Sequence, residues 1–151
     1  MKKIMICFAI LASCLSTSAT ASDGKRSIGS ACLPEYARDA DYIGRIKGGI
    51  LKNTNSKSSH VLSVVCPILN DDMSESKTTL NIYYQGEVYC AVFTYTKSGE
   101  NVYNDSETAN SKGKIKSMNL EVREDNSGTM ELYCKIYGGS EIISYGWNEN
   151  I

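Results

Sequence analysis

KSMNLEVREDNSGTMELYCKIYGGSEIISYGW, residues 116–147, is the stretch whose reading decides the fold class. Met118, Leu120 and Val122 alternate with Ser117, Asn119, Glu121 and Arg123, the period of a strand with one buried face. Glu124 to Gly128 is a run of turn formers. Beyond it Met130, Leu132, Cys134 and Ile136 alternate with Glu131, Tyr133, Lys135 and Tyr137. Gly138-Gly139-Ser140-Glu141 reads as a second turn, followed by a third strand through Tyr145 and Trp147. Gly-Gly and the β-branched and aromatic content disfavour a helix.

Folded at its own turns, the stretch predicts a three-stranded meander. Val122 would face Met130, Leu120 would face Leu132, and Met118 would face Cys134. Across the second turn Ile136 would face Ile143, Cys134 would face Tyr145 and Leu132 would face Trp147. Apolar residues meet on one face at every step, and a one-residue slip would expose them all.

The remaining chain extends this pattern. His60 to Leu69 is a strand with Leu62, Val64, Cys66 and Ile68 on one face and valines on both, as expected of a central strand whose pairing weakens at Pro67. Thr79 to Gln85 and Glu87 to Thr96 read as a hairpin around Gly86. A three-residue loop would put Cys90 on the face of Ile82, and a two-residue loop would put Tyr89 and Ala91 there; both remain open. Gly44 to Asn53 reads as a strand with a bulge or a close backbone contact at Gly48-Gly49. Pro34 is a candidate start for a helical turn, Ser22 to Ser30 for a loose terminus, and Lys97 to Lys114 for a long polar loop with one weak strand at Val102-Tyr103. The expectation is an all-β, antiparallel two-sheet β-sandwich of seven to nine short strands.

The first 21 residues read as a secretory signal: Lys2 and Lys3, an apolar run from Ile4 to Leu11, and the small-residue cleavage site Ala19-Thr20-Ala21. The run is too short for a permanent bilayer span. Leu11-Ala12-Ser13-Cys14 also resembles a bacterial lipobox, which would make residues 1–13 the signal and anchor the protein through a lipid on Cys14. Residues 22–151 then form one domain, secreted or periplasmic, or else lipid-anchored to the cell envelope. Without Lys2 and Lys3 the basic count falls from 16 to 14 against 17 acidic residues. The basic residues form no stripe, so nucleic acid is not an expected partner, and a membrane is one only if Cys14 is lipidated.

Cys32, Cys66, Cys90 and Cys134 remain after the signal is removed. In an oxidising compartment they read as two disulfides. Of three connectivities, Cys32–Cys66 with Cys90–Cys134 is favoured. Their long spacings match no zinc or thioredoxin-type motif, so neither a metal nor a cofactor is expected.

His60 is the only histidine, and no nucleophile–base set is visible around it. Asp39 with Asp41, Asp71 with Asp72, and Glu121 with Glu124 and Asp125 read as solvated turn residues, and none matches an EF-hand loop. All ten tyrosines lie beyond the signal. Tyr133 and Tyr137 point away from the meander's core, and Tyr89, Phe93 and Tyr95 share one face of their strand. If the two sets adjoin, they form an aromatic patch suited to stacking a sugar or docking a protein. The expected function is a non-catalytic binding module for an envelope or extracellular protein or glycan. The alternatives are a small secreted hydrolase using paired carboxylates, and a periplasmic enzyme inhibitor.

Overall fold

The computed structural model describes residues 24–68, 78–96, 98–122 and 129–148. The proposed signal with Cys14, the acidic pair Asp71-Asp72, and the turn carrying Glu124 and Asp125 lie outside the described residues.

The chain is all-β. Its strands are β1 (Gly24–Ile28), β2 (Leu33–Pro34), β3 (Ile43–Ile46), β4 (Ile50–Asn53), β5 (Val61–Pro67), β6 (Thr78–Tyr95), β7 (Asn101–Val122), β8 (Thr129–Tyr137) and β9 (Glu141–Asn148). They form one antiparallel sheet in the order β2-β5-β8-β6-β9-β4-β3, with β7 beside β6 and β1 beside β9. This sheet is nearly barrel-shaped. The hydrogen bonding joins all nine described strands into one near-closed sheet, so the all-β architecture holds and the division into two sheets expected from the sequence is not confirmed.

The organising element is β6, an 18-residue strand where a hairpin was expected. Leu80, Ile82, Tyr84, Val88, Cys90 and Val92 are all buried, so one face runs through Gly86 without a switch. Cys90 therefore shares the face of Ile82. One edge of β6 pairs with β7 along its length. On the other edge β8 covers Val88 to Tyr95 and β9 covers Leu80 to Gln85.

The register shifts where both neighbours leave β6 at Gly86. On the β7 side Gln85 pairs with Ile115 and Glu87 with Asn110, so residues 111–114 loop out. On the other side residues 137–140 loop out between β8 and β9. Two buried serines replace the lost carbonyl partners. The Ser111 hydroxyl accepts from the Gly86 N–H at 2.7 Å, and the Ser140 hydroxyl accepts from the Glu87 N–H at 2.8 Å. Gly86 has φ +89°, a conformation that costs a β-carbon-bearing residue about 1–2 kcal/mol.

This arrangement corrects the meander. Met118, Leu120, Val122, Leu132, Cys134 and Ile136 are buried as their alternation requires. Their neighbours are different: Leu120 faces Leu80, Met118 faces Ile82, Leu132 faces Val92 and Cys134 faces Cys90. Strand β6 sits between the segments expected to pair with one another. An 18-residue apolar-faced strand offers two long ladders, more pairing than two short local hairpins supply.

Four further expectations change. Residues 101–110 belong to a strand rather than a loop, because their backbone completes the ladder of β6 while most of their side chains are polar and reach water. Gly48 and Gly49, at φ +93° and +81°, turn the chain between β3 and β4 instead of bulging one strand. The helical turn is a 3-10 helix from Ala37 to Tyr42, and Pro34 belongs to β2. Residues 24–28 are not loose but pair with β9.

Closure is visible in three long-range hydrogen bonds. The Tyr145 hydroxyl on β9 donates to the Pro67 carbonyl at the end of β5, at 2.8 Å. The buried Asn53 amide donates from β4 to the Ile136 carbonyl of β8, also at 2.8 Å. Asp105 accepts from the Glu121 N–H at 2.7 Å, which holds the two halves of the bent β7 together. Disulfides join Cys32 to Cys66 and Cys90 to Cys134, the favoured connectivity. Each links neighbouring segments of the sheet, and all four sulfur-bearing residues are buried.

Candidate functional site

Because Leu62, Val64 and Cys66 of β5, Leu132, Cys134 and Ile136 of β8, and Val88, Cys90 and Val92 of β6 point inward, the intervening residues form one outward face. The register orders it in rows. Ser63, Lys135 and Tyr89 are neighbours in one row, and Val65, Tyr133 and Ala91 in the next. Phe93 lies opposite Glu131, Tyr95 opposite Thr129, and Tyr137 opposite Val61. The two aromatic sets singled out in the sequence do adjoin, and all five side chains are half-buried.

Lys135 holds the middle of the patch. Its ammonium lies 5.7 Å from the Tyr89 ring centre and 5.9 Å from that of Tyr133, within cation–π range of both. The Tyr133 hydroxyl donates to the Ser63 hydroxyl at 3.0 Å. Phe93 and Tyr95 stack at 6.4 Å with 27° between their planes. Ala91 and Ser63 are buried although they face outward, so the taller rings around them set the level of the surface. The face combines apolar ring surface with a cation and hydroxyl groups.

Burial, and secondly the charge of Glu131, pushes the Tyr95 phenol above its ordinary value. Burial also raises Tyr133, while the Ser63 hydroxyl, able to turn and donate to a phenolate, opposes it and Glu35 adds to it. Tyr84 and Tyr145 are raised by burial as well. A raised phenol keeps its proton better in the folded than in the unfolded chain. The stability this confers is complete below the unfolded value of about pH 10 and is lost as pH rises through the folded values. Absorbance titration at 295 nm should therefore finish at higher pH for the native protein than in urea. Coincident curves would contradict these shifts.

A second feature lies beside the face. The 3-10 helix Ala37–Tyr42 and the segment leading into β5 border an open pocket of about 420 Å3, lined by Arg38, Asp39, Tyr42, Ser59, His60 and Val61. The Tyr42 and His60 rings stand 4.3 Å apart, tilted by 54°. The Asn53 amide nitrogen lies 3.4 Å from His60 Nδ1. Among the described residues Asp39 is the one carboxylate lining the pocket, where acid–base hydrolysis of a glycoside requires two. The sequence singled out His60 and the Asp39–Asp41 pair separately; no spacing signalled that Asp39 and His60 would meet. Among the described residues no three His, Cys, Asp or Glu side chains are grouped to hold a metal ion.

No protein-family model matches this chain, and no curated protein matches it. Its likeness is to solved structures. The structure described as BiXyn10A CBM1 APO, a carbohydrate-binding module, superposes with a TM-score of 0.54 at 14% identity, covering 84% of this chain and 97% of that one. The Podospora anserina GH26-CBM35 beta-(1,4)-mannanase gives 0.48 at 13% identity, covering 87% of this chain and 28% of that one. The first likeness shows a shared fold. The two disulfides fit a secreted or extracellular protein.

Proposed function

We propose that this protein is a non-catalytic glycan-binding module whose sugar lies on the outward face of β5, β8 and β6. The observation that carries this reading is the Tyr89–Lys135–Tyr133 group on that face. Aromatic rings offer flat apolar surface to the C–H faces of a sugar, while Lys135, Ser63 and the phenols offer hydrogen bonds to its hydroxyls. The fold shared with a carbohydrate-binding module supports it. The same reading takes residues 1–21 as an export signal and 22–151 as the working domain.

Affinity electrophoresis and calorimetry with plant and microbial polysaccharides test the proposal. Tyr133→Ala should weaken binding on the order of 30-fold, the effect of losing a central aromatic anchor of about 2 kcal/mol. Tyr133→Phe should retain most of the affinity because the ring survives. Wild-type affinity in both Tyr89→Ala and Tyr133→Ala would show that this face is not the site.

A further inference from the structure

The pocket between the 3-10 helix and β5 carries one carboxylate whose surroundings leave it with accepting capacity. The Asp39 side chain is 8% exposed. Among the described residues its carboxylate makes no hydrogen bond, and its charged neighbour is Arg38, with Nε 3.8 Å from Oδ1. The Asp39 carboxylate lines the pocket, where it can accept hydrogen bonds from a ligand. The Arg38 side chain is 81% exposed and can turn towards a ligand.

We infer that this pocket receives the terminal sugar of the glycan proposed to lie on the adjacent face, an inference that rests on that glycan-binding reading. The charges select the ligand class. An anion at Asp39 would be repelled, and a cation would meet the Arg38 guanidinium. A neutral polyol meets neither penalty. Adjacent hydroxyls can each donate to the carboxylate and accept from the guanidinium, which has only donors. The tilted Tyr42–His60 pair supplies an aromatic wall. A volume of about 420 Å3 lies within the range of small-molecule sites, about 300–1,000 Å3.

Position links the pocket to the face. Val61 lines the pocket and pairs with Tyr137. Ser63, two residues along β5, belongs to the row of Lys135 and Tyr89, about 7 Å away at strand spacing. The helix Ala37–Tyr42 follows β2, on the edge of β5 away from β8, so a glycan crossing the face from β6 through β8 would end beside it.

His60 is the only histidine in the chain, so its ring proton signal reports the pocket alone. The test is a proton NMR titration of the full mature protein with β-1,4-linked hexaoses of glucose, xylose, mannose and N-acetylglucosamine. The tyrosine ring signals are followed alongside. One hexaose should shift the His60, Tyr89 and Tyr133 signals at a single affinity. Asp39→Asn and the exposed variant Arg38→Ala should each weaken that affinity about 10-fold and abolish the His60 shift. Binding should occur once per chain for hexaose and longer chains alike. Tyrosine shifts without a His60 shift would overturn the terminal-sugar inference and leave the face standing. A His60 shift without tyrosine shifts would overturn the face and leave the pocket as the site. No shift with any hexaose would overturn both.

Discussion

Replacing all four cysteines by alanine is expected to leave the chain largely unfolded at 37 °C. The disulfides close chain segments separated by 34 and 44 residues. Restricting the unfolded chain over such lengths is worth about 4 kcal/mol per bridge. Losing both removes about 8 kcal/mol from a domain whose total stability should lie at about 5–15 kcal/mol. Each pair variant, Cys32→Ala with Cys66→Ala or Cys90→Ala with Cys134→Ala, should stay folded with a lowered urea midpoint. The bridges join neighbouring segments of a sheet that is paired without them, so the pair variants should keep the far-ultraviolet circular dichroism of the parent. A fourfold variant with the parent's urea midpoint would refute the argument.

Gly86→Ala is expected to cost about 3 kcal/mol, far more than an alanine at another left-handed glycine. The backbone conformation contributes about 1–2 kcal/mol. The added methyl would also sit on the Ser140 hydroxyl, which holds the Glu87 N–H. Displacing it strands a part-buried donor, worth about a further 1–3 kcal/mol. Gly113→Ala is the control: Gly113 has φ +80° and nothing within 4 Å of the added carbon, so it shows the conformational cost alone. Ser140→Ala should reproduce the donor's share, and the double variant with Gly86→Ala should fall short of the sum because both remove one hydrogen bond. Urea unfolding of the four proteins measures these differences. Equal losses for Gly86→Ala and Gly113→Ala would show that Ser140 does not pin the strand.

The two halves of the candidate face were legible in the sequence; their joining and the pocket were not. Tyr133 and Tyr137 could be assigned to the outward face from alternation with Leu132, Cys134 and Ile136 alone. Their meeting with Tyr89 depends on β8 pairing with β6, which alternation does not specify. Asp39 and His60 meet only because the segment from β2 to Tyr42 runs beside β5. The Glu35 N–H bonds to the Ser63 carbonyl at one end, and the Tyr42 ring packs on His60 at the other.

The sequence by itself determined that the chain is all-β and which side chains face inward where the alternation is clean, as at Leu62, Val64 and Cys66 or Leu132, Cys134 and Ile136. These are local properties: a side chain two residues along a strand returns to the same face whatever lies beside it. The tertiary structure alone decided who the neighbours are. Met118 and Leu120 satisfy their alternation equally well against Cys134 and Leu132 or against Ile82 and Leu80. Only the gain from a continuous β6, with two long ladders and a core closed on itself, separates the two. Glycine carries the same ambiguity, since a positive φ serves a turn at Gly48-Gly49 and a bulge at Gly86. Gly86 continues the strand because Ser111 and Ser140, 25 and 54 residues away in sequence, stand ready to take the hydrogen bonds that the interrupted ladders release.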